Sequence, residues 1–405
     1  MNEKSNGSNV KKKWEILHVG TAHKHDSPFI LSSSFIFEKA FPAQNTFLLV
    51  AQGASDYLYP KEGFITEYNE EEALAMLKNG HEKYDVIVLH GLGDFHSRLA
   101  IELADYSKLL WLFWGAEVYN NPLINKENIL GPLTEHLIRS SALSIANVKS
   151  LVRKYLLPSR QHQRIKEAAS KVRYIGVPYE EDFTNLRNKD AINNLCRPLS
   201  YSYYPPEHIF TSSAQAQFIG NNILLGNSAT PENNHMEALE LLSGFELGDR
   251  KIITILSYGD DSYKNKIVSR GQKAFPEHFM PIVDFMPLVD YNALLGTCSV
   301  AIMNHYRQQA VGNILSLLWI GTKVFLSERN TMYHYLKRID CHIFTVSELT
   351  GGNDANILEP LNETERIHNR HILASILSTD KLMKHLQNFF DENFKPEKID
   401  VQKVS

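Results

Sequence analysis

Short apolar runs alternate with amphipathic helical patterns through the first half of the chain. The apolar runs that predict strands are Trp14–Val19, Thr46–Ala51, Tyr84–Leu89, Leu109–Phe113, Ala142–Ala146 and Val172–Ile175. The patterns with helical spacing between them are Glu70–Asn79, Ser97–Tyr106, Gly131–Ser140 and Ile165–Ser170. Strands of about five residues that are separated by helices predict βαβ units and a mainly parallel sheet.

A second series of the same kind begins at Asn222. Its strand runs are Ile223–Gly226, Lys251–Leu256, Met280–Val283, Ser299–Met303, Val324–Leu326 and His342–Phe344. Its helical patterns are Met236–Leu242, Asp261–Ala274, Val289–Gly296 and Ile314–Ile320. The sequence therefore predicts an α/β protein with two Rossmann-like, doubly wound domains that face a central cleft, where ligands of open sheets bind.

The domain boundaries follow from where this alternation breaks. Residues Asn185–Phe218 are rich in Asn, Tyr, Pro and Ser, and they predict a linker with an irregular insertion. We expect an N-terminal domain over residues 14–200, a linker over 201–218 and a C-terminal domain over 219–375. The amphipathic run Asp380–Phe394 predicts a helix that packs back across the domains, within a C-terminal helix and tail over 376–405.

The composition excludes several classes of function. The chain has 405 residues, 43% apolar and 22% charged, which is typical of a soluble globular protein with more than one core. Its formal net charge of −4 argues against a nucleic-acid partner, for which a basic excess is typical. Cys196, Cys298 and Cys341 lack a paired spacing, so we expect reduced thiols in a cytoplasmic enzyme rather than a disulfide framework or a zinc site.

Two basic stretches bear on location. Met1–Lys13 is polar, ends in three lysines and lacks a signal-peptide core, so it predicts a disordered leader. Lys149–Arg173 carries eight basic residues against the single acid Glu167. A solvated helical face is the ordinary interpretation, and contact with anionic lipid, at roughly 1 kcal/mol per basic residue, is the alternative. Because no apolar run reaches the roughly 20 residues that span a bilayer, we expect a protein that is soluble or attached to a membrane surface.

A polar turn with one arginine follows the predicted strand Ser299–Met303 and precedes the predicted helix Ile314–Ile320. The turn contains Arg307, Gln308, Gln309, Gly312 and Asn313. Free N–H groups and the dipole of a helix start favour an anion, and a guanidinium group matches phosphate oxygens. The turn predicts a phosphate site on a nucleotide-bearing substrate, with a solvated surface arginine as the alternative.

The first strand of the second domain also ends in a candidate turn, Gly226, Asn227 and Ser228. Glycine lets the backbone approach a ligand closely, and Asn or Ser can cap a helix or bond a phosphate. A plain strand-to-helix turn is the alternative. Glu328 is a candidate acceptor for ribose or sugar hydroxyls, or else a partner of Arg329. Tyr258 is a candidate wall of a base pocket.

The first domain offers candidates at three strand ends. Trp114, Glu117 and Tyr119 follow an aromatic strand whose Trp111 and Phe113 we assign to the core. The other candidates are His90, Asp94 and His96 after one strand and His23 after the first. An acid or histidine at such an edge can act as a base. The histidines lie on separate loops without helical metal spacing, so no metal and no cofactor are predicted.

Three segments together resemble glycosyltransferase family 56. They are Trp111-x-x-Trp114-Gly115-Ala116-Glu117-x-Tyr119, Ile223-Leu224-x-Gly226-Asn227-Ser228 with Asn234-His235, and Arg307-Gln308-Gln309-x-x-Gly312. The likeness also takes in Asp290-Tyr291-x-x-Leu294-Leu295 and runs from about Trp14 to Leu336. The family's known members are TDP-4-acetamido-4,6-dideoxygalactose:lipid II transferases of enterobacterial common antigen synthesis. The family's motif tends to have Asp where this chain has Glu117, and the leader, the insertion and the tail look unlike it.

The resemblance implies a GT-B fold, with an N-terminal acceptor domain and a C-terminal nucleotide-sugar domain. It implies no required metal and a peripheral place on the inner face of the cytoplasmic membrane. The partners would be a nucleoside-diphosphate sugar, thymidine-linked, and a lipid-linked saccharide of cell-surface polysaccharide synthesis.

The residue roles that we predict follow from this combination. Arg307 with the helix near Gly312 would neutralise the leaving diphosphate, supported by Asn227 and Ser228, and Glu328 would hold donor hydroxyls. Glu117, Asp94 or His96 would orient or deprotonate the acceptor, and Trp114, Tyr119 and His23 would bind it. Two rival hypotheses are a nucleotide-sugar epimerase of GT-B shape and a non-catalytic scaffold of a polysaccharide-assembly complex.

Overall fold

A computed structural model describes residues 14–22, 27–51, 65–140, 159–204, 220–350 and 356–394. The predicted leader 1–13, the candidate His23, the predicted strand Ala142–Ala146 and residues 149–158 of the basic stretch lie outside these ranges. None of the helices in the described part of the chain has the length and apolar character needed to cross a bilayer.

A parallel sheet of seven strands forms the N-terminal half, in the order β3-β2-β1-β4-β5-β6-β7. The strands are β1 (Ile16–Thr21), β2 (Asn45–Ala51), β3 (Ile65–Asn69), β4 (Val86–His90), β5 (Leu109–Leu112), β6 (Tyr174–Val177) and β7 (Arg197–Ser200). The helices are α1 (Ser27–Ala40), α2 (Glu70–Gly80), α3 (Asp94–Leu103), α4 (Ala116–Tyr119), α5 (Pro132–Ser140), α6 (Arg160–Lys171) and α7 (Glu180–Asn188). The central strands β4 and β5 are buried along their whole length, as expected for a parallel sheet covered on both faces.

The expected linker and insertion over Asn185–Phe218 is wrong for its first part. Residues up to Asn188 belong to α7, and β7 (Arg197–Ser200) pairs in parallel with β6. β7 contains a proline and only Leu199 is buried in it, so its apolar pattern is that of an edge strand and not of a core strand. The sheet therefore extends to Ser200.

A second parallel sheet forms the C-terminal half, in the order β10-β9-β8-β11-β12-β13. Its strands are β8 (Asn222–Leu225), β9 (Ile252–Ile255), β10 (Phe279–Ile282), β11 (Cys298–Met303), β12 (Lys323–Leu326) and β13 (Phe344–Thr345). The helices are α8 (His235–Leu242), α9 (Asp261–Ala274), α10 (Leu288–Leu295), α11 (Val311–Ile320), α12 (Thr331–Arg338), α13 (Glu363–Ile376) and α14 (Thr379–Asn393). The predicted fold class, two doubly wound Rossmann-like sheets, is confirmed.

Each half of the chain contributes a helix to the core of the other half. On α5, Leu137 packs into the C-terminal core, and Thr134 donates its backbone N–H to Glu237 on α8 at 2.9 Å. In return, Phe390 on α14 packs beside Trp14 and Phe37 in the N-terminal core. The amphipathic run at the end of the chain thus lies across the N-terminal sheet.

A buried carboxyl group also joins the two halves. Asp182 on α7 is completely buried and accepts a hydrogen bond from the hydroxyl of Thr331, the first residue of α12, at 2.7 Å. Burial raises the pKa of Asp182 to about 7, against the lowering effect of hydrogen bonds from Thr331 and Tyr119. Its second oxygen, Oδ2, has no hydrogen-bond partner among the described residues. Asp182 therefore ionises near neutral pH inside a contact between the halves.

We expect Asp182→Asn to remove a pH dependence of stability. The unfolded carboxyl ionises near pH 3.8 and the folded one near pH 7, so the folded state binds the extra proton between these values. The contribution of Asp182 to the free energy of unfolding should be fully present near pH 3.8 and should fall as the pH rises, by up to about 1.4 kcal/mol per pH unit. Above about pH 7 this contribution should no longer change. Melting temperatures across this range test it. The melting temperature of the variant relative to wild type should increase as the pH rises. If the two melting temperatures change in parallel with pH, the raised pKa of Asp182 is contradicted.

Candidate functional site

The candidate site lies where the carboxyl ends of the central strands of the two sheets face each other. In the C-terminal sheet the strand order reverses between β8 and β11, and in the N-terminal sheet between β1 and β4. Ligands of doubly wound sheets bind at such switch points. In the C-terminal half of the chain, each predicted candidate follows the carboxyl end of a strand. Gly226 follows β8, Tyr258 follows β9, Arg307 follows β11 and Glu328 follows β12.

The turn after β8 is shaped by a glycine and a buried asparagine. Gly226 has φ +65°, and a Cβ atom there would lie 2.6 Å from Nε2 of His235. The backbone N–H of Asn227 donates to Oδ1 of Asn233 at 2.8 Å, and Nδ2 of Asn233 donates to Oγ of Ser228 at 3.1 Å. Asn233 thus holds the turn through hydrogen bonds to both Asn227 and Ser228.

A buried histidine from the next strand supports the same turn. His305 follows β11, and its Nε2 lies 3.1 Å from Oδ1 of Asn227 and 2.9 Å from Oδ1 of Asn233. Burial lowers the pKa of His305 to about 3, so the ring is neutral and donates through Nε2. Sequence reasoning missed both His305 and Asn233. His305 follows the end of β11 by two residues, whereas Asn233 lies eight residues after the end of β8 and carries no such positional signal.

Arg307 is buried, with 8% of its surface exposed, so it is not a solvated surface arginine. Its Nη1 donates to the carbonyl oxygen of Gln308 at 2.9 Å, and Nδ2 of Asn330 donates to the carbonyl oxygen of Arg307 at 2.8 Å. Nε of Arg307 has no partner among the described residues. After Ala310, which has φ +57°, the chain enters α11 at Val311. A buried guanidinium group therefore lies beside a helix N-terminus, a combination that suits an anion.

The two turns of the C-terminal half meet through Gln309. Its Nε2 donates to Oγ1 of Thr230 at 3.3 Å and lies 3.5 Å from Oδ1 of Asn227. The predicted convergence of Gly226–Ser228 and Arg307–Asn313 on one cleft is therefore observed as a direct contact.

Tyrosine hydroxyl groups surround the N-terminus of α11. Burial raises the pKa of the Tyr204 and Tyr291 hydroxyl groups, and the backbone of Gly312 and the side chain of Asn313, respectively, act against this rise. A Cβ atom on Gly312 would lie 2.6 Å from the Tyr204 ring. Tyr258 accepts from Nδ2 of Asn227 at 2.9 Å. Tyr204 and Tyr291 were not predicted as site residues, because the chain brings them to α11 only through tertiary contacts.

Glu328 lies exposed on the loop after β12. The alternative that it pairs with Arg329 is not observed in the described ranges, because Nη2 of Arg329 donates to the carbonyl oxygen of Asn128 at 2.7 Å. The arginine also stacks over the ring of Tyr306, with 4.2 Å to the ring centroid. Glu328 thus stays a candidate for donor hydroxyls.

Glu117 lies across the cleft from Arg307. Its Oε1 accepts hydrogen bonds from Nε1 of Trp111 at 3.2 Å and from the backbone N–H of Trp114 at 2.9 Å. Burial raises the pKa of Glu117, whereas these bonds and the positive charge of Arg307 lower it. Next to it, a Cβ atom on Gly115 would lie 2.6 Å from Oε1 of Gln308. Glycine there lets the halves approach each other.

Tyr119 packs in the N-terminal core with 5% of its surface exposed. Its hydroxyl accepts a hydrogen bond from Nδ2 of Asn185 at 2.8 Å. Tyr119 also lines a cavity of about 560 Å³ between α7 and α12, together with Tyr306 and Arg329. The residue therefore reaches the space between the halves while its ring is fixed by packing.

Asp94 and His96, at the start of α3, have different surroundings. The carboxylate of Asp94 forms an ion pair with Arg164 on α6, with Nε of the arginine at 2.9 Å. His96 is buried, and its Nε2 lies 3.2 Å from the carbonyl oxygen of Val19. Among the described residues, no group of three His, Cys, Asp or Glu side chains suits a metal ion.

Several solved structures share this two-domain architecture. The N-terminal domain of trehalose-6-phosphate phosphatase from Candida albicans is 13% identical, covers 95% of this chain and 97% of its own, and has a TM-score of 0.61. Sucrose-phosphate synthase from Thermosynechococcus elongatus is 9% identical, with 93% and 98% covered and a TM-score of 0.61. HepE from Anabaena, in complex with UDP and glucose, is 11% identical, with 94% and 100% covered and a TM-score of 0.60.

The fold is of the GT-B class, and the family match described next supports a glycosyltransferase. Residues 198–366 match the sequence model of glycosyltransferase group 56, which is described as 4-alpha-L-fucosyltransferase. The predicted resemblance to family 56 is thereby confirmed.

Proposed function

We propose that this glycosyltransferase moves a deoxy or acetamido sugar from a thymidine-diphosphate donor to a hydroxyl of a lipid-linked saccharide, in cell-surface polysaccharide synthesis. The observation that carries the donor half is the contact of Gln309 with Asn227 and Thr230, which joins two anion-favouring turns beside the buried Arg307. Fucose is a 6-deoxy sugar, so the description of the matched family supports a deoxy sugar on the donor.

The donor diphosphate would lie at the N-terminus of α11. Arg307 and the first N–H groups of the helix would neutralise the charge that develops on the leaving diphosphate, which is a major electrostatic demand of this reaction. Asn227 and Ser228 would bond phosphate oxygens from the opposite turn, and Glu328 would hold hydroxyl groups of the donor. A solved structure of this fold binds UDP and glucose, which agrees with a nucleoside diphosphate in such a cleft.

The acceptor would approach from the N-terminal half, past Trp114 and Tyr119. Membrane attachment through Lys149–Arg173 is part of the proposal, with the protein on the inner face of the cytoplasmic membrane. In the described part, α6 presents exposed Arg160 and Lys166, whereas Arg164 is paired with Asp94. Vesicles with and without anionic lipid test this part by co-sedimentation, and equal binding to both would remove it without affecting the catalytic proposal.

A thermal-shift panel of nucleoside diphosphates and their sugars tests the donor assignment. We expect dTDP and a dTDP-linked sugar to raise the melting temperature more than UDP or GDP compounds, because only the folded protein binds them. If only nucleotides with a different base raise the melting temperature, that base replaces thymine in the proposed donor. No stabilisation by any nucleotide would favour a non-catalytic scaffold. Epimerisation of the free donor without acceptor would favour an epimerase.

We expect Tyr204→Phe to strengthen nucleoside-diphosphate binding by about 2–10-fold. The Tyr204 ring lies against Gly312, whose backbone lowers the pKa of the tyrosine hydroxyl, so this hydroxyl and a phosphate oxygen would compete for the Gly312 amide. Isothermal titration with the nucleotide that stabilises best measures the change. Tyr201→Phe is the matched control, because the Tyr201 hydroxyl bonds Ser33 within the N-terminal half. Weaker binding by Tyr204→Phe would instead show that the hydroxyl itself contacts the donor.

A further inference from the structure

Three buried histidines lie where β1 and β4 reach the cleft. His18 lies within β1, His90 ends β4, and His96 lies in the first turn of α3. Their side chains are almost fully inaccessible, with exposures of 1%, 1% and 3%. β1 and β4 flank the point at which the strand order of the N-terminal sheet reverses, which is the ligand position of doubly wound sheets.

The hydrogen bond of His96 determines which of its nitrogens is free. Nε2 lies 3.2 Å from the carbonyl oxygen of Val19, and a carbonyl can only accept, so Nε2 carries the hydrogen. Burial lowers the pKa of His96 to about 4, so the ring is neutral at physiological pH. Nδ1 therefore holds a lone pair, and it has no hydrogen-bond partner among the described residues.

Hydrogen bonds also determine the tautomers of His18 and His90. The amide nitrogen of Asn45 donates to the carbonyl oxygens of Phe37 and Phe41, so its Oδ1 accepts from Nε2 of His18 at 3.2 Å. His18 is neutral, because burial lowers its pKa to about 3, and its Nδ1 then accepts from Nε2 of His90 at 3.1 Å. His90, whose pKa burial also lowers, is left with a lone pair on Nδ1 that has no partner in the described ranges.

Aromatic rings lie close to His90 on the cleft side of β4. The ring centroid of Tyr203 lies 6.3 Å from that of His90 and 6.2 Å from that of Trp114, and Phe29 lies 5.3 Å from Trp114. A buried acceptor that lacks a donor is unfavourable, so the two unpartnered Nδ1 atoms, with aromatic rings near His90, indicate a place for a ligand with hydroxyl groups. Saccharides combine hydroxyl donors with apolar C–H faces.

We infer that His90 and His96 form the hydroxyl-binding subsite of the acceptor saccharide and that His96 is the base of the transfer reaction. The inference rests on the proposed function. Nδ1 of His96 takes the proton of the acceptor hydroxyl, whose oxygen bonds to the anomeric carbon of the donor sugar. The bond from that carbon to the diphosphate oxygen breaks, and the diphosphate leaves with the electron pair. The Val19 carbonyl stabilises the imidazolium that results, and Nδ1 of His90 accepts a second hydroxyl of the same saccharide.

The two acidic candidates are less suited to this step. Oε1 of Glu117 already accepts bonds from Trp111 and Trp114, and the positive charge of Arg307 stabilises the carboxylate. Asp94 is held by Arg164 in an ion pair. Both carboxyl groups therefore already accept hydrogen bonds from the protein, whereas Nδ1 of His96 has no hydrogen-bond partner in the described ranges.

Nitrogen-15 spectra of histidine-labelled protein test the tautomers without any substrate. We expect the Nε2–H form for both His90 and His96, with the signals assigned by their loss in His90→Gln and His96→Gln. Octyl glycosides of hexoses and N-acetylhexosamines should then shift both Nδ1 signals, and those of the remote His81 should not move. An Nδ1–H form at His96, or no shift with any glycoside, would overturn the inference.

Transfer kinetics test the role of each histidine, with the best-binding nucleotide sugar as donor and the octyl glycosides as acceptors. His96→Gln keeps a donor for the Val19 carbonyl and should lower kcat by about 10²–10⁴-fold. Free imidazole should partly restore the activity of His96→Ala. His90→Gln should raise the acceptor KM about tenfold with a smaller change in kcat. The control His81→Gln alters a histidine before β4, at the opposite edge of the sheet.

Nucleotide titration separates a failure of this inference from a failure of the proposed function. The variants His90→Gln, His96→Gln and His96→Ala should bind the nucleoside diphosphate as wild type does, because His90 and His96 lie in the N-terminal half. If wild type binds no nucleotide, the proposed function fails. If wild type binds it and transfers sugar, but His96→Gln keeps its kcat, only the base assignment fails.

Discussion

Replacing Arg307 with alanine should lower kcat for sugar transfer by about 10²–10³-fold, the usual cost of removing one donor that stabilises transition-state charge. Arg307 is buried beside the N-terminus of α11, where a diphosphate is not screened by solvent as it would be at the surface. Arg307→Lys should recover part of the rate, because it keeps the charge and loses the two-pronged geometry. Steady-state kinetics with saturating donor measure both variants.

The same substitution has a second, measurable effect across the cleft. Arg307 lowers the pKa of Glu117, which burial raises, so the pKa of Glu117 should rise further when the cation is removed. Arg270→Ala, on the exposed face of α9, is the matched control and should leave kcat unchanged. Full transferase activity of a well-folded Arg307→Ala variant would contradict the phosphate assignment.

Gly226→Ala should destabilise the protein and weaken donor binding more than tenfold, whereas Gly248→Ala should only destabilise it slightly. Both glycines have left-handed backbones, with φ +65° and +61°. A methyl group at Gly226 would lie 2.6 Å from His235 and 2.7 Å from Asn233, and at Gly248 it would meet nothing within 4 Å. Backbone strain of about 1–2 kcal/mol is therefore common to both, and Gly226→Ala adds about 1–3 kcal/mol for crowding.

Denaturant unfolding and nucleotide titration measure this pair. The added methyl group at Gly226 would clash with Asn233. Because Oδ1 of Asn233 accepts from Asn227 and its Nδ2 donates to Ser228, the proposed phosphate-binding turn should lose its conformation. Gly248 precedes β9, at the edge of the sheet remote from the cleft, and its variant should bind nucleotide normally. Equal unfolding energies for the two variants would show that space around Gly226 is not limiting.

The parallel core of the protein could be predicted from apolar runs, because strands that are buried on both faces leave a continuous signal in the sequence. The edge strands β3 and β7 of the N-terminal sheet could not be predicted in this way, whereas the edge strands β10 and β13 of the C-terminal sheet overlap the predicted runs Met280–Val283 and His342–Phe344. β3 reads Ile-Thr-Glu-Tyr-Asn and β7 reads Arg-Pro-Leu-Ser, and both form through pairing with a neighbour rather than through their own pattern. α1 was missed because serines interrupt its apolar spacing, and Ser33 and Ser34 are buried in the fold.

The candidate site likewise contains residues that the sequence could indicate and residues that it could not. Gly226, Asn227 and Arg307 could be predicted as candidates because they follow strand ends, where ligands of parallel sheets bind. Asn233, His305 and Asn330 hold these turns from behind, and their roles depend on contacts between segments far apart in the chain. A single sequence carries no periodic signal for such contacts. The pairing of Asp94 with Arg164, 70 positions away, was hidden for the same reason.

The exchange of α5 and α14 between the two halves has a consequence for how the protein is made. The N-terminal core includes Phe389 and Phe390 of α14, so it stays incomplete on the ribosome until synthesis has reached Asn393. Chains usually fold domain by domain from the N-terminus as they emerge. Here the sheet of the N-terminal half must wait for α14, so the apolar face of α1 that packs against α14 stays uncovered until that helix has been synthesised.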